Sequence, residues 1–218
     1  VEFADRAKGR SVRNWARLFD LHVPVHNVTL WETSQVKESL IEALRHLTGD
    51  NWCFSFTQAY KSPFEEAYQL GLPFHDPKDF VIPYSDGLDS RCVSGLQEKE
   101  GCGIRVRVSR HKEQGERGEH PFDRIPFIVS LRKAKEHSVR SRGFKFAAIA
   151  SIAAHIGKAK RIVMPESGQG ALGPILAPIF RVYPDYRHHP TFFRRIEIFL
   201  RSLFGASLTF EQPRLWYT

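Results

Sequence analysis

Residues 80–90 read FVIPYSDGLDS, and the order of residue types in this stretch decides the fold. Phe80 to Tyr84 is a short apolar run of the kind found in parallel strands buried on both faces. Pro83 is awkward there because it cannot donate to a ladder, so the strand is expected to be short or to end at that point. Ser85-Asp86-Gly87-Leu88-Asp89-Ser90 then makes a small polar turn into a helix expected from about Asp89 to Glu98. A strand, a tight turn and a helix start form an anion site, because the first helical amides lack carbonyl partners and the helix end carries a partial positive charge. One such end contributes only about 0.3–1 kcal/mol at a surface, so further donors are needed. The hydroxyls of Ser85 and Ser90 supply them, and Gly87 lets the backbone approach closely. Asp89 stands where a carboxylate caps amides or helps to hold a metal bound to phosphates. Asp86 would repel a polyphosphate unless its side chain turns away or meets Mg²⁺.

Working outward, strands and helices alternate. Ile104 to Val108 and Ile125 to Leu131 read as strands, separated by the charged, aperiodic loop Arg110 to Pro121. Phe144 to Ile156 is apolar nearly all round, which fits a helix packed on a sheet. Gly157 with Lys158, Lys160 and Arg161 fits its C-terminal end. Arg161 to Pro165 is another short buried strand, and Thr191 to Leu203 is an amphipathic helix. This alternation predicts an α/β fold: an open parallel sheet, Rossmann-like, with helices on both faces and the ligand beyond the carboxyl ends of its strands. Before residue 79, Leu18 to Val25 and Asn51 to Thr57 alternate as strands do. Between them Val36, Leu40, Ile41, Leu44 and Leu47 recur at helical spacing, and Gly49 is placed to cap that helix. The expected organisation is a small β-α-β module over 1–78, structural or docking in role, and a nucleotide-binding domain over 79–218. Trp52, Phe54 and Phe56 alternate on their strand as core or interface residues.

A hydrophobic share of 42% and a charged share of 26% fit an ordinary globular chain, and no window approaches eighteen uncharged apolar residues, so no membrane helix is expected. Of the net charge of +8, the stretch Arg105 to Lys145 supplies +7, as twelve Lys/Arg less five Asp/Glu. A positive field there suits a nucleotide or a nucleic acid, and equally a solvated surface. Cys53, Cys92 and Cys102 have no C-x-x-C spacing, which predicts free thiols, no zinc site among them and a reducing, cytoplasmic compartment. The chain starts at Val1 rather than Met, so a segment is expected to precede it. His188 and His189 are adjacent and lack a third ligand at metal spacing.

Three collinear stretches carry a resemblance. Ser85, Gly87, Asp89 and Ser90 match the S-G-G-x-D-S signature of PP-loop ATP pyrophosphatases, with Asp86 in place of the first Gly. Arg142-Gly143-Phe144-Lys145-Phe146 resembles the R-N-x-x-F of 7-cyano-7-deazaguanine synthases, with Gly143 for Asn. Tyr183-Pro184-Asp185-Tyr186-Arg187, with Pro190 and Phe192, resembles their Y-P-D-C-R-P-x-F, with Tyr186 for Cys and His188-His189 before the proline. The likeness covers roughly residues 79–218. The N-terminal module, the loop Gly168 to Pro174 and the HHP run look like the synthase-like component of Qat-type anti-phage defence systems.

The resemblance implies an adenine nucleotide alpha hydrolase fold and a ligase-type enzyme. It would use ATP and Mg²⁺ to adenylate a 7-deazaguanine acid, releasing pyrophosphate, for attack by ammonia or an amine. By position, Ser85, Asp86, Gly87, Leu88, Asp89 and Ser90 would hold the pyrophosphate end, with Arg110 near the nucleotide. Arg142 would bind phosphate or the substrate carboxylate, and Tyr183, Asp185 and Arg187 would face the deazaguanine. Ser85, Asp89, Ser90 and Arg142 are the expected catalytic set. Relatives carry four zinc-binding cysteines after a segment like PRLWYT, so Zn²⁺ is expected only through residues beyond Thr218. A defence-system protein and a second copy of the chain are the expected partners. A tRNA-modifying PP-loop enzyme and a non-catalytic nucleotide- or partner-binding module remain the alternatives.

Overall fold

The computed structural model describes residues 1–11, 15–60, 77–85, 87–109, 123–126, 133–137, 140–172 and 183–216. They form two parallel sheets. The smaller pairs β1 (Leu18–Val25) with β2 (Asn51–Gln58), in register from Leu18 opposite Asn51. Between the two strands lie the short α2 (Val28–Trp31) and α3 (Ser34–Thr48), and α1 (Glu2–Ala7) precedes them. The larger sheet contains β3 (Phe80–Pro83), β4 (Gly103–Ser109), β5 (Asp123–Pro126), β6 (Arg161–Val163) and β7 (Thr209–Glu211). Its spatial order is β5-β4-β3-β6-β7, and every neighbour pair is parallel. The chain first steps outward from β3 to β4 and β5, then returns to the other side of β3 for β6 and β7. The order therefore reverses between β3 and β6, which opens a crevice at their carboxyl ends.

Helices cover both faces of this sheet. On one, α4 (Leu88–Gln97) sends Val93 against Phe80, Ile82 and Val163. On the other, α5 (Arg142–Ile156) packs on β3, β4 and β6, burying Ala147, Ala150, Ala153 and Ala154 against Val81, Ile104, Val106 and Ile162. The small alanines let the helix sit close to the strands. α6 (Gly168–Leu172) follows β6, and α7 (Pro190–Phe204) leads to β7.

The two sheets share one core. α3 packs along α7, so Val36, Leu40, Leu44 and Leu47 meet the layer formed by Phe192, Ile196, Phe199 and Leu200. Trp52, Phe54 and Phe56 are buried in the same layer, and Phe19 stacks on Trp52 at 4.4 Å. Gly49 ends α3 in the left-handed region at φ 70°, its amide bonded to the Arg45 carbonyl. A side chain there would also strike the Trp15 ring at 2.5 Å, so glycine is required twice over.

Several expected bounds shift. β3 ends at Pro83, where only the ladder to β4 continues: β6 pairs with Phe80 and Val81 alone, so the missing proline N–H breaks no bond to β6. α4 starts at Leu88 and α5 at Arg142, a little earlier than their apolar patterns suggest. β6 stops at Val163, short of Pro165. The strand expected over Ile125 to Leu131 is seen as Asp123–Pro126, and residues 127–131 lie outside the described set. α5 does not end on a left-handed glycine: Gly157 has φ −76°, and the positive φ falls on Lys158 at 55°. Gly157 is small for another reason, since a Cβ would sit 2.7 Å from the Ile104 side chain.

Candidate functional site

Beyond the carboxyl end of β3 lies a cleft of about 610 Å³. Residues from five places in the chain line it: Ser85, Gly87, Asp89 and Ser90 after β3; Val106 and Arg107 on β4; Arg142 and Phe146 on α5; Glu166 and Gly170 after β6; Asp185, Arg187 and His188 before α7. Its size is within the ordinary range for small-molecule sites. Its position is where a sheet of this winding leaves room for a ligand.

The turn after β3 leads directly into α4. The Tyr84 amide still bonds across to the Val106 carbonyl at 2.8 Å, so the strand holds the turn rigidly up to Ser85. Ser85 Oγ lies 2.9 Å from Ser90 Oγ and accepts a hydrogen bond from the Gly87 amide at 3.3 Å. One hydroxyl proton is used between the two serines, which leaves the other free to donate. Gly87 is the N-terminal cap of α4 and places no side chain on the helix amides. The start of α4 is thus left for an external acceptor. Asp89 is exposed in the first turn and lines the cleft. Leu88, 75% exposed, does not line it. Asp86 and Arg110 lie outside the described residues.

Arg142 is the first residue of α5, and its guanidinium lies over the Phe146 ring at 5.2 Å from the centroid. Four residues apart on a helix, the two side chains share one face. The R-x-x-x-F spacing therefore builds a flat, stacked cation. Among the described residues this guanidinium has no ion pair or hydrogen bond, so its donors are open to the cleft.

Asp185 and Arg187, which also line the cleft, are bound to each other. Arg187 Nε donates to both carboxylate oxygens at 2.9 and 2.8 Å, and the Arg187 amide donates at 3.1 Å. Burial pushes the Asp185 pKa upward, but the bonds from Arg187 outweigh it and hold the carboxyl below its ordinary range. Asp185 is consequently a charged acceptor with part of its capacity already used. Tyr183, expected to face a substrate, does not line the cleft. Its hydroxyl donates to the His46 carbonyl at 2.6 Å, and its ring stacks on Trp15 at 5.2 Å. It fastens the 183–189 segment to α3, because Gly49 opens a slot there that an aromatic ring fills.

Sequence reasoning missed Glu166. Its carboxylate lines the cleft and lies 2.8 Å from His188 Nδ1. No local signal marks it: Glu166 follows β6, and only the pairing of β6 with β3 brings it to the cleft. His189 has a different task from its neighbour, accepting from the Thr191 amide at 3.1 Å to cap α7. Among the described residues no group of His, Cys, Asp or Glu could hold a metal ion by itself, and Cys53, Cys92 and Cys102 are free. No helix among them is long and apolar enough to cross a membrane.

Comparisons with protein-family profiles, with characterised proteins and with solved structures return no significant match.

Proposed function

We propose that this chain is an ATP pyrophosphatase of the PP-loop type, activating a carboxylic acid as an acyl-adenylate for attack by ammonia or an amine. The observation that carries the reading is the meeting of an uncapped α4 start, two serine hydroxyls and the open Arg142 guanidinium in one cleft at the sheet's reversal point. A carboxylate is a poor electrophile, whereas its adenylate has a good leaving group. The protein's task is to grip the departing pyrophosphate and to meet the charge that develops on the transferring phosphorus. The α4 amides with Ser85 and Ser90 would take the pyrophosphate. Arg142 would pair with the α-phosphate or the acid. Asp89 is the carboxylate that would hold Mg²⁺ against the phosphates, and the ion would screen Asp89 from them.

The resemblance in three motifs favours a 7-deazaguanine acid as the substrate. In support, the cleft also offers Glu166 and Asp185, and carboxylates accept the N–H edge of a guanine-like ring. The tRNA-modifying alternative draws on the basic stretch whose centre, residues 110–122, lies outside the described set. The test is incubation with ATP, Mg²⁺ and 7-carboxy-7-deazaguanine, followed by chromatography of the nucleotides. AMP and pyrophosphate are expected in equal amounts, and their formation is expected to be abolished by Ser85→Ala or Asp89→Ala. Unchanged ATP, or ADP as the product, would contradict the reading.

A further inference from the structure

The amino-terminal segment reaches the cleft through a buried charge network. Asp5 on α1 is fully buried, and one of its oxygens accepts both the amide (3.0 Å) and the hydroxyl (2.7 Å) of Ser141. Ser141 is the residue immediately before Arg142. The other Asp5 oxygen accepts from Arg17 Nη2 at 2.5 Å. Arg17 in turn donates to Asp50, at the start of β2, through Nε at 3.1 Å and Nη2 at 2.6 Å. Arg10 donates to the same Asp50 at 2.8 and 3.0 Å and pairs through Nε with Glu136 at 3.2 Å, so the two guanidiniums serve three carboxylates. A second contact runs parallel: Glu2 on α1 pairs with Lys145 in the first turn of α5 at 2.8 Å.

We propose that Asp5 is a positioning residue for Arg142: its carboxylate fixes the backbone from which α5 starts and so sets where the Arg142 guanidinium meets the ligand. This rests on the functional reading above, in which Arg142 touches the reacting phosphate or acid. Two helices start at the cleft, and they are treated differently. The cap amide of each is taken by a side chain, but that of Gly87 before α4 goes to Ser85, two residues away, at 3.3 Å, whereas that of Ser141 before α5 goes to a carboxylate delivered from residue 5. A negative charge near a helix start is favourable in itself. A buried carboxylate with all its partners satisfied also resists displacement, because moving it would strand charge in a dry environment. The residues before β3 are therefore part of the cleft's construction.

The experiment measures AMP formation from ATP and the acid by the full chain and by Asp5→Asn, Ser141→Ala, Ser141→Thr, Arg142→Ala and the Asp5→Asn/Arg142→Ala double variant. Thermal unfolding confirms that each is folded. Asp5→Asn and Arg142→Ala are each expected to lower kcat/KM about 10- to 100-fold, and the double variant to be no worse than Arg142→Ala alone, since neighbours acting through one group are not additive. Ser141→Ala, which removes only the hydroxyl bond, is expected to lose several-fold and Ser141→Thr to recover it. Wild-type activity in Ser141→Ala or in folded Asp5→Asn, or losses that multiply in the double variant, would overturn the inference while leaving the functional reading intact. Absence of AMP from the wild type would overturn both.

Discussion

The Tyr183 hydroxyl donates to the main-chain carbonyl of His46 at 2.6 Å, tying the segment that enters the cleft to the end of α3. The bond is half-buried and neutral, so Tyr183→Phe is expected to lower stability by about 0.5–1.5 kcal/mol in a urea titration. The ring would stay stacked on Trp15, and KM for the acid is expected to remain within about twofold, since that stacking keeps Asp185 and Arg187 in place. A tenfold rise in KM at unchanged stability would show that the hydroxyl touches substrate after all.

Gly143 has no room for a side chain. A Cβ there would lie 2.5 Å from the Arg187 carbonyl oxygen and 2.9 Å from its Cα. Main chain cannot swing aside as a side chain does. Gly143→Ala is expected to cost about 1–3 kcal/mol, as overpacking does. Pushing the 185–187 segment outward would also weaken ligand binding. Equal stability and equal ligand affinity in this variant would contradict the packing described.

Asp50 is fully buried and bound by both Arg10 and Arg17. Asp50→Ala would leave Arg17 with Asp5 and Arg10 with Glu136 but strip each of its Asp50 bonds, so it is expected to destabilise by about 3 kcal/mol in chemical denaturation. A loss under 1 kcal/mol would mean that water reaches the network.

His46 gives the protein an acid-sensitive joint. Burial, then the nearby Arg195 and His189, holds its pKa below the ordinary 6.5. The unfolded chain therefore binds a proton more readily than the folded one. The stability tied to this group is complete above pH 6.5 and is lost as pH falls from there through the lower folded value. Its ring stacks on Tyr186 at 4.4 Å, so protonation charges the same joint that Tyr183 fastens. Thermal unfolding between pH 7.5 and 5 is expected to show a decline that is smaller in His46→Gln. Identical profiles for the two proteins would remove His46 as the cause. Asp50 and Asp185 act in a lower window. Burial raises both pKa values, but the bonds from Arg17 and Arg187 depress them below the ordinary 3.8, so their contributions vanish only as pH falls through still lower values.

Much of the fold was legible because its elements have strong local signatures. Leu18–Val25 alternates, α3 has a clean apolar stripe ending in Gly49, and α5 is apolar all round because strands lie beneath it and the 190–204 helix beside it. Of the cleft residues, Ser85, Gly87, Asp89 and Ser90 have a chain-local signal, a strand-turn-helix, whereas Arg142 was singled out only through the resemblance and Phe146 was not singled out as a site residue. What was not legible depends on distance in the chain. Nothing in the letters around Asp5 says that it meets Ser141, or that Tyr183 turns toward His46 rather than a ligand. Glu166 was overlooked because a single acid after a three-residue strand has no pattern. Its meaning comes only from β6 lying beside β3, which the strand order supplies.

The central claim is tested most directly by calorimetric titration of the protein with Mg²⁺-pyrophosphate. Wild type is expected to bind one equivalent. Ser90→Ala and Arg142→Ala are each expected to weaken binding about tenfold or more, since a hydrogen bond to a charged group contributes about 1.5–3 kcal/mol. Heat of dilution alone from the wild type, or the same affinity in both variants, would contradict an anion cradle at the turn after β3.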